Sequence, residues 1–148
     1  MVAEYEFTVR AARWEDDAAK LTHVREHVFI VEQKVPAHLE WDGLDPACAH
    51  VLAEAGDGFA IAAGRLSPDG RIGRMAVLRE WRGKGVGSAV VDALVTEARR
   101  QGFTTIYLHA QMHAQRFYAK HGFETVGAPF DEAGIPHIEM IKRLPAEP

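Results

Sequence analysis

The sequence predicts an α+β domain, one mixed sheet flanked by helices, and three observations carry that reading. Short runs alternate apolar and polar residues with period two, while two longer runs repeat with the period of a helix. Glycine beside aspartate or proline punctuates the runs where tight turns are needed. The resulting order, β-α-β-β-β-α-β-α-β-β, places strands and helices in one layered core.

Residues 5–10 alternate in the manner of a half-buried strand. From Asp16 to about Ile30 the pattern turns helical, with Leu21, Val24 and Val28 on one face and Phe29 beside them. Asp16 or Asp17 is placed to complement the positive end of that helix. Pro36, Gly43 and Pro46 mark residues 35–48 as a loop. Residues 50–55 and 59–66 read as a hairpin across Gly56-Asp57-Gly58. Pro68-Asp69-Gly70 is a second turn, leading into a strand at 71–78.

Residues 85–101 give the clearest helix. Val86, Ala89, Val90, Ala93, Leu94 and Ala98 supply its buried face, Ser88, Asp92, Thr96 and Arg99 its polar stripe, and Gly102 its end. Residues 105–110 form another strand. A short helix at 111–120 stops at Gly122, and late strands at 124–127 and 137–143 flank a loop over 129–136.

The 148 residues suffice for one domain, expected over 1–148, with a core that needs no disulfide or metal staple. The single cysteine, Cys48, excludes an intrachain disulfide and points to a reducing compartment. The first ten residues lack the basic and apolar regions of a signal peptide, and no apolar run approaches the roughly 20 residues of a membrane span. A cytoplasmic protein without membrane contact is the expectation. Net charge of -4 and a pI near 6.0 argue against a nucleic-acid partner. The charge is divided: residues 1–58 hold 5 Lys/Arg against 12 Asp/Glu, and residues 59–148 hold 12 against 9. The densest basic stretch runs from Arg71 to Lys84.

Within and just beyond it, Met75 through Gly87 reads as a strand, a basic glycine turn and the start of a helix. Gly83, Gly85 and Gly87 alternate, allowing several N–H groups to point into one concavity, and a side chain at Gly85 would crowd it. The helix start at Val86 and Ser88 adds unsatisfied donors, and Arg82 and Lys84 add charge. This is a site for a phosphate or pyrophosphate. A Walker turn is excluded because no Lys-Ser/Thr pair follows a glycine, and a dinucleotide fingerprint because Gly87 comes one residue early.

Arg82-Gly-Lys-Gly-Val-Gly87 resembles the R/Q-x-x-G-x-G/A signature of the GNAT superfamily of N-acetyltransferases, whose turn binds the pyrophosphate of acetyl-CoA. Gln111 through Phe123 is similar to that family's second segment, N-x-x-A-x-x-(aliphatic/aromatic)-Y-x-x-x-G-F, with Ala114, Phe117, Tyr118 and Gly122 at the matching positions. Residues 28–33 (VFIVEQ), 40–45 (EWDGLD) and 134–140 (GIPHIEM) further resemble the ElaA/YjcF-like branch. The resemblance covers nearly the whole chain and implies the acyl-CoA N-acyltransferase fold.

It also implies direct acetyl transfer from acetyl-CoA, as cosubstrate, to a small-molecule or peptide amine. A primary ammonium titrates near 10 and must lose a proton before attack. The oxyanion needs a preorganised donor, which the family draws from the strand at Met75, Ala76 and Val77. Tyr118 stands at the family's tyrosine position and is the expected general acid for the departing thiolate. Gln111 replaces the family's asparagine and can still hydrogen-bond the pantetheine arm. No carboxylate lies on residues 105–110, where some relatives place a base, so the resemblance implies a water-relayed base elsewhere, with Glu32 and His137, in segments that border the acceptor cleft, as candidates. The acidic first half, with Glu32, Glu40, Asp42 and Asp45, favours a cationic acceptor.

Other patterns carry less. His23-x-x-Glu26-His27 matches a short zinc pattern, but no third ligand supports it, so no metal is expected. His109 and His113 straddle a strand-to-helix junction, and Cys48 reads as inert. The alternative to an enzyme is a non-catalytic acyl-CoA binding or sensing domain. Pairing through the late strands would make a homodimer, as the resemblance allows.

Overall fold

The computed structural model describes residues 6–145. Its first strand, β1, spans Phe7–Ala12, so the expected start at Tyr5 lies outside the described residues. Helix α1 (Trp14–Arg25) follows, its first turn carrying Glu15, Asp16 and Asp17. Asp17 accepts the Arg13 N–H at 3.0 Å and both guanidinium nitrogens of Arg10, which ties the helix start to β1. The helix then widens into π-helical turns at Glu26–Glu32, seen in the Gln33 N–H to Val28 C=O bond of 3.0 Å.

The segment expected as a loop over 35–48 is partly ordered as helix α2 (Ala37–Glu40) and a 3₁₀ turn at Asp45–Ala47. Strands β2 (Ala49–Ala55), β3 (Ala60–Leu66) and β4 (Arg71–Val77) form a meander across the two predicted turns. After the glycine turn comes α3 (Val86–Arg100), then β5 (Thr105–Gln111), α4 (Gln115–Lys120), β6 (Glu124–Glu132) and β7 (Ile135–Arg143).

Two sequence expectations change here. Gln111 is the last residue of β5, not the start of a helix. The late loop over 129–136 is strand: β6 and β7 continue to a two-residue turn at Ala133 and Gly134, both with positive φ. Prolines read as breakers, yet Pro129 falls where the β6–β7 register shifts and Pro136 near the start of β7, where strands tolerate a missing N–H.

The sheet order is β1-β2-β3-β4-β5-β7-β6, antiparallel throughout except for β4 and β5. One core lies between the sheet and α3 and α4, centred on Ile61, Leu94, Ile106 and Met140. A second lies under α1, with Leu21, Val24, Leu52 and Ala76. Gly64 lets α3 sit directly on β3, because a Cβ there would fall 2.7 Å from Leu94 Cδ1.

The parallel pair decides where a site forms. β4 and β5 are in register only at Arg71↔Tyr107 and Ile72↔Leu108. Beyond Ile72, β4 takes a bulge, with the β3 partners skipping from Gly73 to Ala76 and Arg74 held at φ 51. The two strands then diverge into a fork.

Candidate active site

The fork opens into a cavity of about 1130 Å³, floored by β4 and β5 and reached by the glycine turn, the π-helical turns and the β6–β7 hairpin. Alternation explains why β4 faces it with backbone donors. Leu78 N–H bonds to Ile61 on β3, so Val77, one residue earlier, turns its N–H and C=O away from β3 and toward the fork. The Val77 carbonyl accepts Arg82 Nε at 2.9 Å, as that direction requires. Met75 precedes it with the same alternation, and Ala76 points its N–H the other way, toward Ala63.

The turn adopts the predicted shape. Gly83 and Gly85 have φ of 75° and 83°, a region that only glycine enters freely, and Gly85 is the N-cap of α3. The reason differs from the one expected. A Cβ on Gly85 meets nothing within 4 Å, so a side chain there is disfavoured by the backbone and not by crowding. Gly87 is the close-packed member, with Phe117 Cζ 3.3 Å from its missing Cβ. Val86 is buried in the core and contributes through its backbone position, while Ser88 Oγ shares a 3.0 Å hydrogen bond with His121 Nε2. Lys84 Nζ donates to the Glu80 carbonyl at 3.0 Å, folding back over the turn.

The charge divided along the sequence is largely paired in space. Arg82 donates both terminal nitrogens to Glu32 at 2.7 Å, and Arg79 approaches the same carboxylate at 3.7 Å. Arg82's hydrogen bonds hold the Glu32 carboxyl below the ordinary glutamate range, which makes it a weak proton acceptor. Glu32 is the counter-ion of Arg82 and Arg79 at the turn.

Glu40 and Asp45 are buried, and Asp42 is paired at the surface. Buried Arg25, 1% exposed, donates to Glu40 at 2.9 Å and Asp45 at 2.7 Å. Arg65 reaches Asp42 and Asp45, and Arg74 bonds Asp42 and the carbonyls of Leu39 and Glu40. Burial would raise the Asp42 carboxyl, but the Arg65 hydrogen bonds, the Leu44 N–H and nearby guanidinium charge hold it well below the usual range. These three acids tie the 37–47 segment to the sheet, and Glu40 and Asp42 also line the cavity. Arg74's contacts also sustain its left-handed backbone at the bulge.

Tyr118 lines the cavity from α4 and is 8% exposed. Its ring packs edge-on against Phe117 and Phe123. Burial raises its hydroxyl above the ordinary tyrosine range, so it stays protonated at neutral pH. Gln111 closes the far lip: its amide donates to Gln33 Oε1 at 2.9 Å and accepts from Gln33 Nε2 at 3.3 Å.

His137 also lines the cavity, with neighbours that sequence reading passed over. Glu132, at the end of β6, receives His109 Nδ1 at 3.1 Å, lies 3.6 Å from His137 Nε2 and pairs with Arg71 at 3.3 Å. Burial would raise the Glu132 carboxyl, while the His109 hydrogen bond and the Arg71 charge bring it below the usual range. The β5–β7 register accounts for this grouping, since His109↔Glu139 and Gln111↔His137 are direct cross-strand pairs.

The rings of His23 and His27 lie 4.6 Å apart, and among the described residues no group of three or more His, Cys, Asp or Glu could hold a metal. Cys48 is half-buried with its Sγ 3.3 Å from the Leu44 carbonyl. Among the described residues, no helix is long and apolar enough to cross a membrane.

Comparison with known proteins agrees with this architecture. An acetyltransferase (GNAT) domain model matches residues 17–144. The uncharacterized N-acetyltransferase YjcF of Bacillus subtilis is 36% identical over 135 residues, covering 88% of this chain and 96% of that protein. The crystal structure of an acyl-CoA N-acyltransferase from Pseudomonas aeruginosa is 33% identical, with a TM-score of 0.82 over 93% of this chain and 99% of that one. Escherichia coli ElaA is 30% identical, with a TM-score of 0.81 over 93% and 100%.

Proposed function

The chain belongs to the GNAT acetyltransferase family, and from that premise we propose that it transfers the acetyl group of acetyl-CoA directly to an amine in a ternary complex. The observation that carries the reading is the fork. Its mouth meets the glycine turn and the N-terminus of α3, its wall offers the Val77 N–H, and Tyr118 stands beside it.

The residues divide the work by position. Backbone N–H groups around Gly83, Gly85 and Val86, with Lys84 and Arg82, receive the pyrophosphate at the positive end of α3. The pantetheine arm enters between β4 and β5, where the missing ladder leaves strand hydrogen-bonding groups for it. Gln111 is the side-chain amide within reach of that arm once it exchanges its Gln33 partner.

The thioester carbonyl then lies against β4, where the Val77 N–H stabilises the oxyanion as charge develops. Tyr118 assists the leaving thiolate. Its raised hydroxyl is a weaker acid than an ordinary thiol, near 8.5, so it acts chiefly by hydrogen-bonding the sulfur as charge builds up there.

Calorimetry with acetyl-CoA tests the cofactor assignment, and no binding at millimolar ligand would overturn it. Thiol release from acetyl-CoA across a panel of primary amines tests the reaction. Tyr118→Phe is expected to lower kcat by about 10²-fold or more, and unchanged turnover would remove its role.

A further inference from the structure

The acetyltransferase reading leaves open where the acceptor's proton goes, and the β6–β7 hairpin supplies an answer that rests on that reading. His137 is 7% exposed and lines the cavity. Its Nδ1 lies 2.6 Å from the Ile135 carbonyl. A carbonyl only accepts, so Nδ1 carries the proton, and in the neutral ring Nε2 is left with its lone pair.

That lone pair faces the Glu132 carboxylate at 3.6 Å, too long and without the geometry of a hydrogen bond. With the ring in that neutral form two acceptors face each other at the cavity wall, an arrangement that a cationic donor lying against both would complete. His109 repeats the pattern one strand over, with Nδ1 on Glu132 at 3.1 Å and Nε2 3.4 Å from Glu139. Arg71 is the cation already on Glu132, at 3.3 Å on the β4 side. Phe130 packs against both imidazoles and gives the cluster an apolar edge.

We propose that Glu132 and His137 hold the acceptor as an ammonium ion, and that His137 Nε2 removes its proton. The ammonium N–H bond breaks and the proton passes to Nε2, leaving a neutral nitrogen. That nitrogen attacks the thioester carbon, the new C–N bond forms and the C–S bond breaks. The nitrogen gives up its second proton to solvent as the amide forms, and the sulfur leaves as a thiolate that the Tyr118 hydroxyl hydrogen-bonds. The imidazolium formed at His137 is stabilised by Glu132 and discharges to solvent. The acceptor class is therefore an aliphatic primary amine, charged when it arrives. Its recognition comes from Glu132 and His137, in the second half of the chain.

The test compares two nucleophiles with acetyl-CoA: n-butylamine, which is cationic at neutral pH and needs a base, and hydroxylamine, which is already neutral. His137→Asn is expected to lower kcat/KM for butylamine by about 10²–10⁴-fold, with a much smaller loss for hydroxylamine. Glu132→Gln, which keeps the shape and a carbonyl oxygen, is expected to raise KM for butylamine about 10–100-fold and to affect hydroxylamine far less. Thermal melting of each variant establishes that it folds. Equal losses for the two nucleophiles would overturn the assignment, because misplacement of the hairpin has no reason to select between them. A wild-type protein that binds acetyl-CoA yet transfers to neither would overturn the acetyltransferase reading and this assignment together.

Discussion

Replacing Gly85 by alanine separates backbone strain from lost contact at the cofactor turn. Gly85 sits at φ 83° and ψ 1° as the N-cap of α3, and its missing Cβ faces open space with nothing within 4 Å. Crowding therefore contributes nothing, and the cost is that of a left-handed conformation with a side chain, about 1–2 kcal/mol. If the turn keeps its shape, the loss appears in stability, as a fall in Tm of about 2–8 °C for a chain of this size. If the turn relaxes and is re-formed only around the pyrophosphate, the same energy appears as an affinity for acetyl-CoA weakened about 5–30-fold. Urea denaturation and calorimetry on the one variant measure both, and their sum should stay near 1–2 kcal/mol. No change in either would refute the assignment of strain to Gly85. A combined loss above about 4 kcal/mol would show a collision that the turn's open side does not contain.

Arg25→Met leaves Glu40 and Asp45 short of a partner in a buried cluster and is expected to cost about 3–5 kcal/mol in denaturant unfolding; a loss under about 1 kcal/mol would show that Arg65 and Arg74 suffice alone. Glu32→Gln releases Arg82 and removes a carboxylate that competes with the pyrophosphate, so acetyl-CoA should bind about fivefold more tightly by calorimetry; loss of turnover with unchanged binding would restore Glu32 as a base. Acid should unfold the protein through its paired aspartates. The Asp17 carboxyl is lowered to about 2, chiefly by the Arg10 hydrogen bond, and Asp42 is also lowered. Their contribution is complete above the unfolded value of about 3.9 and is lost as pH falls toward the folded values, so the Tm should drop below about pH 4. Asp17→Asn should flatten part of that fall.

Much of the fold was legible because local signals agreed with tertiary need. The α3 face, the two glycine–aspartate turns and the glycine turn each have a residue pattern with one physical solution. The Arg74 bulge was not legible, since a positive φ at an arginine depends on acceptors contributed by Leu39, Glu40 and Asp42, more than thirty residues away. The π-helical turns at Glu26–Glu32 were hidden for a similar reason: the apolar period barely distinguishes them from an α-helix, yet they lead directly into the Glu32 and Gln33 contacts across the fork.

The candidate site divides the same way. The turn and Tyr118 stand in linear motifs, whereas the Glu132 cluster is assembled by sheet register. β5 carries no carboxylate of its own at 105–110, and the one beside His109 comes from the neighbouring hairpin. The alternation of His109 and Gln111 on one strand with His137 and Glu139 on another was the available signal, and it became readable only once the antiparallel register was known. The acidic first half changes meaning in the fold for the converse reason: Glu32, Glu40 and Asp42 line the cavity, but as members of ion pairs. Glu32, Glu40, Asp42 and Asp45 have their arginine partners within the fold, and charge counted along a chain does not reveal that pairing.

Direct transfer through the fork is tested most plainly by initial rates of thiol release with acetyl-CoA and an alkylamine both varied. A ternary complex predicts intersecting double-reciprocal lines and release that depends on the amine. Parallel lines with a covalently acetylated protein, or thiol release indifferent to the amine, would contradict it.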